Sequence, residues 1–269
     1  MTPDADVLDS GGIRVDWQGE GGEPVVTITL DRPDTRNAQT LSTWRALRAV
    51  GDGLPTGTRV VVVRGSGPVF SSGINLRSFT PEGVEGESVL TQFLGLDDAA
   101  AADLIAEFQA GFTWLHDRDD VVTVAAVQGA AVGAGFQLAL ACDLRVCTTD
   151  ARFAMRETSL GLVPDLTGTH PLVTAVGYSR ALEICVTGRW IAADEAASLG
   201  LATAVVAPDE LDATVSDLAS ALVAAPAGAA ASTKAVLRAA AGADAPTQRR
   251  AEREAQVPLL RGLAAQMGL

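Results

Sequence analysis

Residues 121–142 (VVTVAAVQGAAVGAGFQLALAC) run for 22 positions without a charge, and this stretch constrains the fold more than any other. An uncharged run of that length is long enough to cross a bilayer as a single helix. Its internal pattern points elsewhere. The first half is rich in β-branched residues, and Gln128, Gln137 and the glycines 129, 133 and 135 interrupt the remainder. We read a buried strand over 121–127, a turn over 129–135 and a buried helix over 136–142. A strand with no polar alternation is covered on both faces, as in the parallel sheet of an α/β protein.

The same unit recurs along the chain. Val25–Leu30 (VVTITL) reads as a strand between Pro24 and a turn-rich segment, followed by a helix with Leu41, Trp44, Leu47 and Val50 on one side, Thr40 as its cap and Gly51 as its stop. Residues 59–64 (RVVVVR) form a second continuous apolar strand, ending at Gly65-Ser66-Gly67-Pro68. Residues 80–98 are acidic, without a clear period, and read as a mobile loop; 99–115 read as a helix. Leu144–Thr148 suits another strand, and 179–186 and 194–199 suit short helices stopped by Gly188 and Gly200. Beyond about residue 209 the chain is alanine-rich and helical, with breaks expected at Pro226, Pro246 and Pro258. The expected organisation is an α/β core over 1–200 and a helical region over 201–269 that packs on the core or on another subunit.

Charge and cysteine content narrow the function. The chain carries 33 acidic and 20 basic residues, a net charge of −13, which disfavours nucleic acid and anionic membranes as partners. Lys234 is the only lysine, and this arginine and alanine bias points to a GC-rich, bacterial genome. Cys142, Cys147 and Cys185 contain no CxxC pair, and the only histidines are His116 and His170, so neither a disulfide framework nor a metal site is expected. The N-terminal residues 1–12 are acidic and lack the apolar core of a signal peptide, so a cytoplasmic protein is expected.

Gly133-Ala134-Gly135 follows a strand and opens a helix, so its backbone N–H groups can face an anion. A dinucleotide fold is one explanation, but the full GxGxxG is absent. A tightly packed helix start is another. A third comes from FSSGINL (70–76), a second strand-to-helix turn with a glycine. Two such turns on neighbouring strands can aim two N–H groups at one oxygen and form an oxyanion hole. Ser71, Ser72 and His170 suggest no hydrolase, because no GxSxG elbow is present, and His170 reads as structural.

LDRPDTRNA (30–38), RGSGPVFSSGINL (64–76), AAVQGAAVGAGFQLALACD (125–143), and then Phe153, Glu157, Gly161, Pro164 and Gly168-Thr169, occur in one order along the chain. In that order they resemble the crotonase (enoyl-CoA hydratase/isomerase) superfamily over nearly the whole length. The resemblance implies a spiral of ββα turns, C-terminal helices that assemble homotrimers or dimers of trimers, and an acyl-CoA substrate with no other bound cofactor. It places the thioester oxygen between the backbone N–H groups of Ile74 and Ala134. It also implies that Arg36, Ala38, Ser72, Gly73, Asn75, Leu76 and Gly133 contact the substrate or its CoA. Arg32, Arg36 and Arg77 form a local basic cluster near the expected CoA phosphates.

The carboxylates choose the reaction. Family hydratases use two glutamates twenty positions apart; Glu157 matches the second, whereas the first position holds Gln137. An amide is neither a general acid nor a general base, though it can orient a water. A lone glutamate at the second position resembles the family's enoyl-CoA isomerases, and Asp165 matches an aspartate of the dienoyl-CoA isomerases, which also carry an acid where Gln137 stands. The expectation is an isomerase with Glu157 as acid/base, assisted by Asp165 and Gln137. The rivals are an enoyl-CoA hydratase and a non-catalytic acyl-CoA binder.

Overall fold

The computed structural model describes residues 3–17 and 24–268; Met1 and Thr2 of the acidic N-terminal stretch lie outside the described residues. After α1 (Ala5–Gly11) and β1 (Ile13–Asp16), the chain alternates strands and helices. These are β2 (Val25–Leu30), α2 (Leu41–Gly53), β3 (Val60–Gly65), α3 (Val89–Phe93), α4 (Asp98–Asp117), β4 (Val122–Val127), β5 (Ala130–Val132), α5 (Ala134–Ala141), β6 (Leu144–Thr148) and β7 (Arg152–Ala154). There follow α6 (Thr169–Val176), α7 (Tyr178–Thr187), β8 (Ile191–Ala192), α8 (Ala193–Ser198), β9 (Ala204–Val206), α9 (Leu211–Ala224), α10 (Ala227–Ala240) and α11 (Ala245–Gln266).

Six strands form one sheet in the order β1-β2-β3-β4-β6-β9, antiparallel only at β1–β2. Alternate residues of its strands serve opposite faces. Val61, Val63, Ala125 and Val127 join the core with Leu41, Trp44, Leu47, Phe108 and Phe112 of α2 and α4. Val60, Val62, Val124 and Ala126 meet Leu211, Val215 and Ala219 of α9. This double cover explains why the runs are continuously apolar. Burying a Val or Leu side chain is worth roughly 1.5–3 kcal/mol, so each covered face contributes strongly.

The uncharged stretch 121–142 becomes β4, β5 and α5 inside this core, and no single helix among the described residues is long and apolar enough to cross a membrane. Several expectations are corrected. The turn over 129–135 contains a strand, β5, which pairs in parallel with β7 in a second, three-stranded sheet. Segment 80–98 holds the short helix α3, capped by Ser88. Gly51 does not stop α2; the glycine packs against the Trp114 indole instead, and the helix runs on to Gly53. Pro258 lies inside α11 without breaking it, and Pro246 sits in that helix's first turn, where a missing N–H costs nothing.

The region after residue 200 begins within the core: β9 completes the large sheet and α9 covers it. Farther on, Lys234 ties α10 to the body. Its Nζ donates to Asp143 Oδ2 at 2.7 Å and to the Val121 carbonyl at 2.8 Å. Burial raises the Asp143 pKa, but His116, the Lys234 charge and Thr123 outweigh it and hold the carboxyl below its ordinary range. Along α11, Val257, Leu260 and Leu263 are exposed.

Candidate active site

Two glycine turns meet at the edge between the sheets. The first lies beyond the end of β3, after Phe70, and is stitched to β5: Ser71 N–H donates to the Ala130 carbonyl and Val132 N–H to the Ser71 carbonyl, both at 3.0 Å. Gly73 has φ +88°, and a Cβ there would stand 2.5 Å from the Val132 carbonyl oxygen, so only glycine permits this approach. The same Cβ would stand 3.6 Å from Ala134 N, which measures how closely the turns approach. The second turn passes through Gly133 into α5, and a Cβ on Gly135 would stand 2.7 Å from the Ser71 side chain. Among the described residues, neither Ile74 N–H nor Ala134 N–H has a protein acceptor. Ala134 is the first residue of α5, so the helix dipole adds to its N–H.

The N-terminal signature loop lies alongside the first turn. Ser72 N–H donates to the Arg36 carbonyl, Gln39 N–H to the Gly73 carbonyl, and Asn75 N–H to the Gln39 carbonyl. Arg36, Ala38, Ser72, Gly73, Asn75 and Leu76 are thereby gathered along one rim, with Arg36, Leu76 and Arg77 exposed and Gly133 on the opposing turn. Asn75 Oδ1 caps the turn at Leu76–Phe79 by accepting from Arg77 N–H. Arg32 departs from expectation. It turns inward, donating to the Ser10 carbonyl and Thr40 Oγ1 and pairing with Glu85, so it is spent on the fold rather than offered to a phosphate. His170 is exposed on α6.

Glu157 follows β7 and opens a 3-10 turn, Glu157–Leu160, that ends at Gly161 in the left-handed conformation. It is 9% exposed. A Cβ on Gly133 would stand 3.3 Å from Glu157 Oε1, so the carboxylate lies directly beside the second turn. Gln137, 1% exposed, donates from Nε2 to Glu157 Oε1 at 2.6 Å. Its own Oε1 accepts from Leu166 N–H at 2.8 Å and Gly168 N–H at 3.2 Å. Two backbone donors on one oxygen fix the amide orientation, so Gln137 presents only N–H to the carboxylate. Glu157 Oε2 is buried without a protein partner. That leaves one oxygen held by Gln137 and the other buried without a donor.

Burial raises the Glu157 pKa; the hydrogen bonds from the backbone and Gln137 oppose the rise, and the nearby Asp165 charge adds to it. Asp165 is half-buried and its pKa is also raised, again by burial. Its backbone carbonyl accepts from Gln109 Nε2 of α4 at 2.7 Å. Glu157, Gln137 and Asp165 thus share one electrostatic neighbourhood next to the two turns. The wide cavity of about 820 Å³ between α4, α5, α6 and α10 is elsewhere: its lining includes Asp143 and Lys234 but none of Ile74, Ala134, Gln137 or Glu157.

Sequence reasoning missed the supports of the first turn. Asn37 Nδ2 donates to the Ser66 and Val69 carbonyls, and its Oδ1 accepts from Arg32 N–H, joining the signature loop to the end of β3. Gln39, Trp44 and Ser71 are buried and hydrogen-bonded beneath the same turn. Asn37 lies within the signature segment 30–38 and Ser71 within 64–76, and Trp44 falls at helical spacing with Leu41 and Leu47; Gln39 alone carries no spacing signal.

A family model described as enoyl-CoA hydratase/isomerase matches residues 20–269. Among solved structures, a presumptive enoyl-CoA hydratase from Thermobifida fusca YX in complex with CoA is 47% identical, with TM-score 0.90 over 98% of this chain and 99% of that one. The same protein has been seen with acetoacetyl-CoA, with TM-score 0.91. The mitochondrial Delta(3,5)-Delta(2,4)-dienoyl-CoA isomerase of Mus musculus is 35% identical over 67% of this chain. That match spans 55% of the mouse protein, little more than half its length. A 4-chlorobenzoyl coenzyme A dehalogenase of Arthrobacter sp is 33% identical over 77% of this chain and 72% of its own. The names of these relatives thus span a hydratase, an isomerase and a dehalogenase.

Proposed function

Because the chain belongs to the enoyl-CoA hydratase/isomerase family, we propose that it is an acyl-CoA isomerase that moves a double bond in an enoyl- or dienoyl-CoA through an enolate. The observation that carries this reading is the locked Gln137 amide beside Glu157. Hydration needs a held water and a second acid/base group, and Gln137 supplies no proton to exchange. Isomerisation needs a base at one carbon and an acid at another, which one or two carboxylates provide.

In this reading the thioester oxygen accepts from Ile74 and Ala134 N–H. Glu157 Oε2 removes a proton from the carbon next to the thioester, and the electron pair of that C–H bond delocalises onto the oxygen. Each such donor is typically worth 10²- to 10³-fold, about 2.7–4 kcal/mol. A 3-enoyl thioester regains a proton at its fourth carbon from Glu157, giving the 2-enoyl product. A 3,5-dienoyl thioester takes a different proton at the sixth carbon, delivered by protonated Asp165 in the role we assign to it, giving the conjugated 2,4-product; exchange with solvent then re-ionises Glu157 and reprotonates Asp165. In both cases the protons balance and no water enters the product. The upward direction of the Glu157 shift, caused mainly by burial, suits the task, since it makes the carboxylate a stronger base than an exposed one.

Purified protein assayed on 2-enoyl-, 3-enoyl- and 3,5-dienoyl-CoA separates the readings. Double-bond migration in the latter two is expected. Turnover confined to the 2-enoyl thioester, yielding a 3-hydroxyacyl product, would instead assign a hydratase, and binding without any turnover would assign an acyl-CoA binder.

A further inference from the structure

A fully buried amide in an apolar core calls for a reason, because each of its polar atoms must be matched. Gln39 is 0% exposed and both ends of its side chain are matched: Oε1 accepts from Trp44 Nε1 at 2.9 Å, and Nε2 donates to Ser71 Oγ at 3.2 Å. Ser71 Oγ donates to the Asn37 carbonyl at 2.8 Å and accepts from Gly73 N–H at 3.2 Å. The network therefore runs from a core indole to the backbone of the first turn.

The Gln39 backbone grips the same turn on both sides of Ile74. Its N–H donates to the Gly73 carbonyl and its carbonyl accepts from Asn75 N–H, each at 2.8 Å. The Gly73 carbonyl and the Ile74 N–H belong to one planar trans peptide and point in opposite directions. Holding the carbonyl therefore aims the N–H away from Gln39. Gly73, at φ +88° and without a side chain, has little of its own to resist rotation of that peptide.

We propose that Gln39 is a positioning residue: through Ser71 and its own backbone it sets the direction of the Ile74 N–H and hence the strength of the oxyanion hole. This rests on the reading that Ile74 N–H binds the thioester oxygen. Preorganised donors lose effect steeply when misaimed, while ground-state binding through the rest of CoA does not depend on them.

The test replaces the amide by a thioether of similar length, Gln39→Met, and follows two quantities. One is the thioester carbonyl stretch of bound butyryl-CoA, isotope-labelled at that carbon and read by infrared difference spectroscopy. The other is the split between kcat and KM for double-bond migration. The wild type should show a lowered carbonyl frequency on binding. In Gln39→Met less than half of that lowering should remain, with kcat down about tenfold and KM within about twofold. A folded variant with an undiminished carbonyl shift overturns the proposal and leaves the oxyanion reading standing. A wild type with no shift removes that reading and the proposal together. If Gln39→Met does not fold, Trp44→Phe removes only the donor to Gln39 Oε1; a reduced carbonyl shift there supports the proposal and an unchanged one overturns it.

Discussion

Glu157→Gln should lower turnover by at least ~10²-fold while leaving CoA affinity nearly unchanged, the range usual for loss of a general acid–base group. The substituted amide can still accept from Gln137 Nε2 through its oxygen, so the packing around α5 survives. What disappears is the one oxygen, Oε2, that no protein donor holds. The same substitution should raise thermal stability at neutral pH. Burial lifts the folded-state pKa of Glu157 above its ordinary value of 4.5, so the folded protein binds this proton more tightly than the unfolded chain does. The stabilising contribution is therefore fully present below 4.5 and is lost as pH rises through the folded-state value. Thermal melts of wild type and variant should converge in acid and separate toward neutrality, with the variant the more stable. Equal melts at neutral pH would show that the buried carboxylate carries no such penalty, and unchanged turnover would move the proton transfer to Asp165.

Gln137→Glu should create or raise hydration of a 2-enoyl-CoA. The new side chain is nearly isosteric, and one of its oxygens would inherit the two backbone donors of Leu166 and Gly168. Its other oxygen would face Glu157 Oε1 at the 2.6 Å now spanned by an amide hydrogen bond. Two carboxylates at that separation cannot both ionise, so the pair would hold one proton between them and titrate as a unit. That is the arrangement hydration needs: one group protonated while the other activates water. We expect a gain in hydration, some loss of stability, and isomerisation that falls or stays level, all measured against wild type in one buffer. A wild type that already hydrates crotonyl-CoA faster than the variant would reverse the assignment.

Much of this arrangement is legible in the sequence, and the exceptions have physical causes. The strands β2, β3 and β4 announce themselves because both faces are buried, which makes their apolar runs continuous. The two glycine turns are legible because the backbones approach too closely for any side chain at Gly73 or Gly135. The strand β5 is invisible because three residues, Ala130–Val132, are too few to show a period. The role of α9 is hidden by its alanines, although Leu211, Val215 and Ala219 recur at four-residue spacing on the face that covers the sheet. In the site, Glu157 and Gln137 can be found from position, but the amide's orientation cannot. It depends on two N–H groups from residues 166 and 168, brought in by the chain that follows the 3-10 turn. Gln39 is unreadable for a related reason: a single buried polar side chain has no pattern until its partners are placed.

Proton transfer between carbons without addition of water is the central claim, and one incubation reads it directly. Wild-type protein is given a 3,5-dienoyl-CoA in deuterium oxide, and the product is analysed by mass spectrometry and NMR. The predicted result is the conjugated 2,4-dienoyl thioester carrying deuterium at its sixth carbon, with no 3-hydroxyacyl product. A recovered, unrearranged dienoyl thioester, alongside ready conversion of a 2-enoyl-CoA to its 3-hydroxy product by the same sample, would contradict it.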